Sequence, residues 1–193
     1  MSDSASEASF AVALVHYPIL NRHGERSTTA VTSIDIHDFV RTCAMFDAGP
    51  VYIVHPAQGM HALVKDVASY WLEGAGGERN PGRTESIKSL KLAESLEEVL
   101  GEEGYTLWYT SATPPDGGVI DVDKLPEIEG KHLIVFGTGS GLDYAAMPKP
   151  NGWLSPIEGI GMVRHLSVRA ALAIYLDRLT QKRCQQSIEP MEG

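Results

Sequence analysis

The sequence predicts an α/β domain with a mostly parallel sheet flanked by helices. Short apolar segments alternate with helical patterns along the chain, and this order is typical of parallel sheets. The apolar segments at residues 10–19, 51–55 and 133–136 contain few polar positions, as expected for strands that are covered on both faces. The length of 193 residues is sufficient for one domain of ordinary size.

The individual elements follow from the spacing of apolar residues and from the turn residues between them. Strands are expected at residues 10–19, 51–55, 90–93, 106–112 and 133–136, and in a short segment that reaches Ile157. Helices are expected at residues 35–46, 60–73, 95–104 and 167–183. Ser33 or Asp35 is the expected cap of the first helix, and Ser95 with Glu98 forms a capping box. The four glycines and the proline of residues 74–83 predict a loop.

Composition and charge narrow the possible functions. The formal net charge of −9 argues against nonspecific nucleic-acid binding as the main task, although clustered arginines still allow a local basic surface. No apolar run is long enough to cross a bilayer. The polar, acidic start of the chain lacks the features of a signal peptide, so we expect a cytoplasmic protein. Cys43 and Cys184 lie far apart without a CxxC partner and are expected to be reduced.

Two glycine loops in the last third of the chain predict a pocket for a small ligand. Residues 137–141 read GTGSG directly after a predicted strand, and residues 155–161 read SPIEGIG. Ligands of parallel α/β sheets bind beyond the carboxyl ends of the strands, where glycines let backbone amides come close to the ligand. The alternative interpretation of the same glycines is a pair of plain tight turns.

Several nucleotide-binding and catalytic motifs are absent or incomplete. A dinucleotide site needs a helix after its glycine turn, but Pro148 and Pro150 interrupt any helix that follows residues 137–141. The spacing is also GxGxG rather than GxGxxG. No GKS or GKT triplet, HExxH pattern or GxSxG elbow occurs, which argues against a phosphate-binding loop, a hydrolytic metal site and a serine hydrolase. We therefore expect no bound metal.

Three segments of the last third together resemble the cofactor half of the SPOUT superfamily of S-adenosylmethionine-dependent RNA methyltransferases. They are VFGTGSGL, SPIEGIG and HLSVRAALAI. The segments HYPILNRHGERSTTAVTSIDIHDFVRTCAMF and RNPGR are similar to a small bacterial group of this superfamily, so the resemblance extends over about residues 11–179. It implies a C-terminal trefoil knot, a homodimer, and methyl transfer from S-adenosylmethionine to tRNA or rRNA. Residues 10–183 then form a single methyltransferase domain, between a disordered leader at residues 1–9 and a flexible tail at residues 184–193.

The resemblance also implies the residues that bind the cofactor and the RNA. In this fold three loops clasp a bent S-adenosylmethionine, and here they correspond to residues 110–113, 137–142 and 157–166. The residues expected to hold the cofactor are Thr110, Ser111, Gly137, Thr138, Gly139, Gly141, Leu142, Ile157, Gly159, His165 and Leu166. The residues expected to contact RNA are Arg22, Arg26, Arg79 and Arg83.

The catalytic residues implied by the resemblance are Arg41, Asn21 and Ser167. Arg41, within RTCAMFDAGPVYIV, matches the arginine of the first conserved motif in SpoU-type ribose 2′-O-methyltransferases, and Asn21 matches the asparagine that precedes it. Ser167 stands in place of the asparagine in the family's SLNVS string. An alternative interpretation of Arg41 is a surface residue paired with Asp38.

The sequence departs from the SpoU pattern in ways that leave the acceptor atom open. Thr138-Gly139-Ser140 stands where these enzymes carry the glutamate of their FGxE loop, and Arg169 stands where a serine is usual. A ring nitrogen is therefore an alternative acceptor to the ribose 2′-oxygen. A noncatalytic module that binds S-adenosylmethionine or RNA is the alternative from another functional class, and the acidic net charge is compatible with it.

Overall fold

A computed structural model describes residues 8–188 of the protein. The predictions for residues 1–7 and 189–193 lie outside the described residues. The first strand begins at Ser9, and the last helix continues to Ile188, which is five residues beyond its predicted end at residue 183.

The strands form one seven-stranded sheet and one small two-stranded sheet. In chain order they are β1 (Ser9–Val15), β2 (Ile19–Leu20), β3 (Arg26–Ser27), β4 (Val51–Val54), β5 (Leu90–Ala93), β6 (Thr106–Tyr109), β7 (Val119–Ile120), β8 (Lys131–Gly137) and β9 (Gly152–Leu154). The large sheet has the order β5-β4-β1-β8-β6-β9-β7, and every pairing within it is parallel. The predicted parallel α/β class is therefore confirmed, while the trefoil knot stays a prediction.

Helices cover both faces of the large sheet. They are α1 (Ser33–Met45), α2 (Gln58–Leu72), α3 (Ala75–Arg79), α4 (Pro81–Ile87), α5 (Leu96–Glu103) and α6 (Val168–Ile188), with 3₁₀ turns at Val122–Glu127 and Tyr144–Ala146. Val12 and Leu14 of β1 belong to the core that α1 and α6 complete. The alternating residues Ala11, Ala13 and Val15 face the core on the α5 side. Both sets are apolar because both faces of β1 are buried.

The beginning of the chain differs from the prediction in two details. The expected strand at residues 10–19 leaves the large sheet after Val15, and Ile19–Leu20 pairs with β3 instead. Pro18 interrupts the ladder because proline has no backbone N–H to donate. The cap of α1 is Thr32 rather than Ser33 or Asp35, and its hydroxyl accepts a hydrogen bond from the amide of Asp35 (3.2 Å).

The prediction of a loop at residues 74–83 is wrong, because this segment contains α3 and the start of α4. Asn80 caps α4 by accepting a hydrogen bond from the amide of Arg83 (3.1 Å), and Pro81 occupies the first helical position. Asparagine before proline is a helix-start signal, and this signal was present in the sequence. The glycines around it led to the loop prediction.

The second half of the chain follows the prediction more closely. Strands at residues 90–93 and 133–136 are confirmed, and Ser95 caps α5 by accepting a hydrogen bond from the amide of Glu98 (3.3 Å). β6 ends at Tyr109 rather than at residue 112, and the short β9 ends at Leu154, before Ile157. The edge strand β7 was not predicted, since its two residues provide too short an apolar pattern.

Candidate active site

A cleft of about 800 Å³ lies beyond the carboxyl ends of the central strands. It is lined by loops at residues 110–113 and 137–142, by Ile157, and by residues 164–167 in front of α6. Further lining comes from the end of β1 and the start of α1, through His16, Thr29, Ala30 and Asp35. Parallel strands end at the same edge of a sheet, so segments that are far apart in the sequence meet in this cleft.

The glycine loop after β8 is held in place by the small sheet of β2 and β3. The amide of Ser140 donates to the carbonyl of Leu20 (3.0 Å), and the amide of Leu20 donates to the carbonyl of Gly141 (2.8 Å). Gly139 has a φ of +61°, a left-handed conformation that favours glycine. A Cβ atom at this position would also lie 2.7 Å from Cδ1 of Ile19, so the close packing requires glycine as well.

The loop after β6 is anchored by its own polar side chains. Thr110 donates from both its amide (3.1 Å) and its hydroxyl (2.9 Å) to the carbonyl of Val135 on β8. The hydroxyl of Ser111 accepts a hydrogen bond from the amide of Thr113 (3.1 Å). These contacts hold the loop beside the glycine loop, so that the two loops line the same cleft.

The loop between β9 and α6 is exposed over residues 158–167. The guanidinium of Arg164 donates to the carbonyl of Gly159, which closes the loop on itself. The hydroxyl of Ser167 accepts a hydrogen bond from the amide of Ala170 (3.3 Å) and thereby satisfies one donor at the start of α6.

An ion pair joins α1 to α6 at the edge of the cleft. Nη1 of Arg169 donates to Oδ1 of Asp35 (2.7 Å), and the hydroxyl of Thr32 donates to Oδ2 of Asp35 (2.5 Å). Nε of Arg169 also lies 3.3 Å from a carboxylate oxygen of Asp38. Both carboxylate oxygens of Asp35 are therefore engaged, and the pair fixes the distance between the two helices at this end.

His16 follows β1 directly and lines the cleft, although only 1% of its surface is exposed. Its Nδ1 lies 3.0 Å from the hydroxyl oxygen of Thr29, which lies 2.5 Å from the hydroxyl oxygen of Thr138 in the glycine loop. Nε2 has no hydrogen-bond partner among the residues that the structure describes. Burial lowers the pKa of His16 to about 4; the charge of Asp35 opposes this shift and His55 adds to it. The ring is therefore neutral at physiological pH.

Comparison with known protein families decides the class of the protein. A family model for SAM-dependent RNA methyltransferases matches residues 9–181, which include all nine strands. The chain belongs to this family. The protein is an RNA methyltransferase that uses S-adenosylmethionine, and the predictions of family, enzyme class and cofactor are confirmed.

Two bacterial proteins are similar to this chain over most of its length. A protein of Aquifex aeolicus (strain VF5) is 33% identical over 183 residues, which cover 90% of this chain and 89% of that protein. A protein of Oleidesulfovibrio alaskensis named tRNA (guanine-N(1)-)-methyltransferase is 32% identical over 174 residues, which cover 86% of this chain. The match covers only 41% of that relative, so its named activity belongs to a much longer protein.

Solved structures confirm the fold of the methyltransferase. TrmJ from Z. mobilis ZM4 has a TM-score of 0.61 at 14% identity, and the match covers 95% of this chain and 72% of that one. The TrmH/SpoU tRNA modifying enzyme of A. aeolicus has a TM-score of 0.56 at 14% identity, with 95% and 79% of the two chains covered. At such low identity the likeness concerns the fold.

The cleft of the methyltransferase brings together most of the residues that were predicted to hold the cofactor. All of them line it except Gly159, whose carbonyl instead holds Arg164. The predicted catalytic residue Ser167 also lines the cleft. The apolar walls expected from Leu142, Ile157 and Leu166 are present, and a volume of about 800 Å³ lies in the range of small-molecule sites. The residues present therefore fit S-adenosylmethionine.

Two predicted catalytic residues do not line the cleft of the single described chain. The side-chain amide of Asn21 shapes its own turn, since its oxygen accepts from the amide of Glu25 (3.0 Å) and its nitrogen donates to the carboxylate of Glu25 (3.0 Å). Arg41 is exposed on α1. The alternative interpretation of Arg41 was a surface residue paired with Asp38. Arg41 does lie at the surface, but Asp38 pairs with Arg169 instead.

The arginines that were predicted to contact RNA lie outside the cleft. Arg22 and Arg26 belong to the β2–β3 hairpin, where Nε of Arg26 forms an ion pair with Asp143 (2.6 Å). Arg79 is exposed at the end of α3, and Arg83 lies on the neighbouring α4.

Several residues that the structure places in the cleft were not predicted to lie there, among them His16, Thr29 and Asp35. His16 and Thr29 received no role, and Asp35 was considered only as a helix cap. A polar residue directly after an apolar strand is a weak signal for a ligand site in a parallel sheet, and His16 fits this description. No local pattern connects Asp35 to Arg169, because 134 residues separate them.

Neither a metal-ligand cluster nor a membrane-spanning helix occurs in the described part of the chain. Among the side chains that the structure describes, no three from histidine, cysteine, aspartate or glutamate are arranged to hold a metal ion. No helix in this part is long and apolar enough to cross a membrane. Cys43 is a buried free thiol of α1.

The buried His16 predicts a pH dependence of stability. Its pKa of about 4 in the folded protein lies below the ordinary value of 6.5, so the unfolded chain binds the proton more readily. The stabilising contribution is complete above about pH 6.5 and is lost as the pH falls towards 4. Between about pH 7.5 and pH 5, His16 alone should lower the free energy of unfolding by about 2 kcal/mol.

Urea unfolding of the wild type and of His16→Asn at several pH values measures this contribution. The variant is expected to lose less stability than the wild type between the two pH values. Parallel curves for the two proteins would contradict the assignment of the neutral, buried ring.

Proposed function

We propose that this protein transfers a methyl group from S-adenosylmethionine to a structured tRNA or rRNA within the cleft beyond β8. The observation that supports this proposal is the meeting of the three predicted cofactor loops with His16 and Asp35 in one cleft. The three loops line the part of the cleft that binds the cofactor. The polar residues from β1 and α1 provide groups that can orient the acceptor.

The cofactor is held by backbone groups and by apolar walls. The glycine loop at residues 137–141 lines the cleft, and its glycines let the backbone come close to the ligand. The backbone of the loop at residues 110–113 lines the same cleft. Each hydrogen bond to the adenine edge contributes about 1 kcal/mol net. Leu142, Ile157 and Leu166 pack on the apolar surface of the ligand. S-adenosylmethionine supplies an electrophilic methyl group on a sulfonium sulfur, and the protein aligns the acceptor with it.

The RNA contacts lie on basic residues around the cleft rather than in it. Burial lowers the pKa of His37 on α1, and the positive charges of Arg83 and Arg41 lower it further. Both arginines therefore lie near this ring. Because α4 packs against both α1 and α3, we place Arg41, Arg83 and the exposed Arg79 on one basic surface. Arg22, in the turn of the hairpin that holds the glycine loop, is a second contact. Arg26 contributes less, because Asp143 already neutralises it.

A homodimer is part of the proposal. Ile160, Met162 and Val163 are large apolar side chains beside the cleft, and the first two are exposed by 107% and 101%. Met45 on α1 is 79% exposed. Apolar groups of this kind are suited to burial against a second copy. Arg41 lies outside the cleft of its own chain. Its proposed catalytic role therefore requires that the cleft of the second copy lies next to it. We also propose that the enzyme acts in the cytoplasm.

Transfer of label from methyl-labelled S-adenosylmethionine to total bacterial RNA tests the function. We expect ribonuclease-sensitive label in the tRNA or the rRNA fraction, and nuclease digestion then identifies the base or ribose that carries it. Cofactor binding without label in any RNA would contradict the proposal and would support the noncatalytic alternative.

RNA binding at several salt concentrations forms the second arm of this test. Phosphate contacts make the logarithm of the affinity fall linearly with the logarithm of the salt concentration. Arg79→Gln should reduce this slope by about 0.7 to 0.9, the effect of one lost phosphate contact. Lys124→Gln is the matched control, since Lys124 is an exposed cation beside β7, away from the proposed surface. An unchanged slope in Arg79→Gln removes this residue from the RNA surface.

A further inference from the structure

A chain of hydroxyl groups determines which nitrogen of His16 carries the proton. The hydroxyl of Thr138 donates to the carbonyl of Val15 (3.2 Å), which uses its only hydrogen. In the contact between the two hydroxyl oxygens of Thr29 and Thr138 (2.5 Å) either oxygen could donate, and with the Thr138 hydrogen on Val15 the donor is Thr29. The remaining contact, between Nδ1 of His16 and the Thr29 oxygen (3.0 Å), therefore requires the hydrogen to sit on Nδ1.

The consequence is an unprotonated Nε2 on His16, a residue that lines the cleft. A neutral imidazole with hydrogen on Nδ1 has a free lone pair on Nε2. This atom is buried and makes no hydrogen bond to any residue in the described part of the chain. Buried polar atoms normally have a partner, and an exception calls for an explanation such as a catalytic or ligand-binding role.

The charged and titratable groups around His16 maintain the neutral form. Burial and the nearby His55, whose ring centroid lies 6.4 Å away, both disfavour the imidazolium. Asp35 favours the imidazolium, but its carboxylate is already paired with Arg169 and bonded to Thr32. Asp35 is a poor proton acceptor for the same reason, since both of its oxygens are engaged. Nε2 of His16 is a buried acceptor of the cleft lining that has no partner in the described part of the chain.

We propose that Nε2 of His16 accepts the hydrogen of the RNA group that becomes methylated, first in a hydrogen bond and then as the proton. This inference rests on the proposed function. As the acceptor oxygen or nitrogen forms its bond to the methyl carbon, the carbon–sulfur bond breaks and its electron pair stays on the sulfur. The proton of the acceptor moves to Nε2, and the resulting imidazolium releases it to solvent after the product leaves. Thr29 acts as a positioning residue, because its hydroxyl keeps the hydrogen of the ring on Nδ1.

A weakly basic ring is sufficient for this role. The acceptor group loses electron density as its new bond forms, so its proton becomes strongly acidic during the transfer. A base that stays unprotonated throughout the physiological pH range is then always ready to take it. A more basic histidine would be protonated part of the time and would repel the positive charge of the sulfonium.

Two pairs of measurements test the proposal. His16→Asn can keep the hydrogen bond to Thr29 but has no atom at the Nε2 position. We expect its single-turnover methyl transfer to RNA to fall at least about 100-fold, while the affinity for S-adenosylmethionine, measured by calorimetry, changes less than about threefold. Thr29→Val should lower the rate about 10-fold without removing the ring, and Thr29→Ser, which keeps the hydroxyl, should restore most of it.

The tautomer provides a readout that does not depend on activity. Nitrogen-15 NMR of the wild type is expected to show Nδ1 protonated and Nε2 unprotonated at neutral pH, and Thr29→Val is expected to populate the other tautomer. Transfer at the wild-type rate by His16→Asn, or a proton on Nε2 in the wild type, overturns the proposal. If His16→Asn does not fold, the rates of Thr29→Val and Thr29→Ser together with the NMR measurement test the proposal. An inactive wild type that binds the cofactor would instead show that the proposed function fails.

Discussion

Gly139→Ala is expected to lower the affinity for S-adenosylmethionine at least about tenfold and to reduce methyl transfer with it. The φ of +61° is unfavourable for alanine, and the new Cβ would lie 2.7 Å from Cδ1 of Ile19 and 3.1 Å from the carbonyl oxygen of Leu20. Backbone strain of this kind costs about 1 to 3 kcal/mol, and a displaced loop relieves it. A loss of about 1.4 kcal/mol in binding corresponds to a factor of ten. Isothermal calorimetry with the cofactor measures the effect.

Gly104→Ala is the matched control for this substitution. Gly104 has a φ of +66° at the end of α5, and a Cβ atom there would meet nothing within 4 Å. The control therefore has similar backbone strain far from the cleft. It should lower the melting temperature but leave the affinity for the cofactor unchanged. Wild-type affinity in Gly139→Ala would show that the glycine loop does not hold the cofactor.

Phe136→Ala is expected to lower the free energy of unfolding by about 3 to 5 kcal/mol and to weaken cofactor binding as well. Phe136 is 1% exposed, and it packs edge-to-face on Phe39 of α1 (6.0 Å between ring centroids) and on Tyr175 of α6 (5.7 Å). It also lines the cleft. Its removal leaves a cavity between the two helices that border the site, so these helices lose their fixed spacing. Urea unfolding and calorimetry measure the two effects.

Phe10→Ala separates the two effects. Phe10 belongs to the same core as Phe136 and is 3% exposed, but it lies at the amino end of β1, where its ring stacks on His132 (5.7 Å). A comparable loss of stability is expected, with cofactor affinity close to that of the wild type under conditions where the protein is folded. Equal loss of affinity in both variants would mean that Phe136 affects binding only through global stability.

The sequence predicted the elements that depend on local signals. β1 and β8 were recognised because both of their faces are buried, which leaves uninterrupted apolar runs. Ser95 and Glu98 marked the start of α5 through a contact three residues apart. The glycine loop at residues 137–142 was assigned to the cofactor from its position after a buried strand together with the family resemblance.

The predictions were less accurate where two local signals competed. The glycines of residues 74–83 suggested a loop, whereas the Asn80-Pro81 pair starts α4. The apolar character of residues 10–19 suggested one strand, whereas Ile19–Leu20 turns away to support the glycine loop. In the second case the decisive contact is made with a segment more than a hundred residues away in the chain.

The sequence by itself determined the parallel α/β class and most of the elements, and ten of the eleven residues assigned to the cofactor line the cleft. These features depend on burial patterns, caps and turns, which are encoded within short segments. Only the tertiary structure decided which polar groups meet in the cleft. Thr29 reaches Thr138 across 109 residues and Asp35 reaches Arg169 across 134, because parallel strands gather the loops at one edge of the sheet. The free lone pair of His16 follows from that arrangement, and no local sequence pattern could have indicated it.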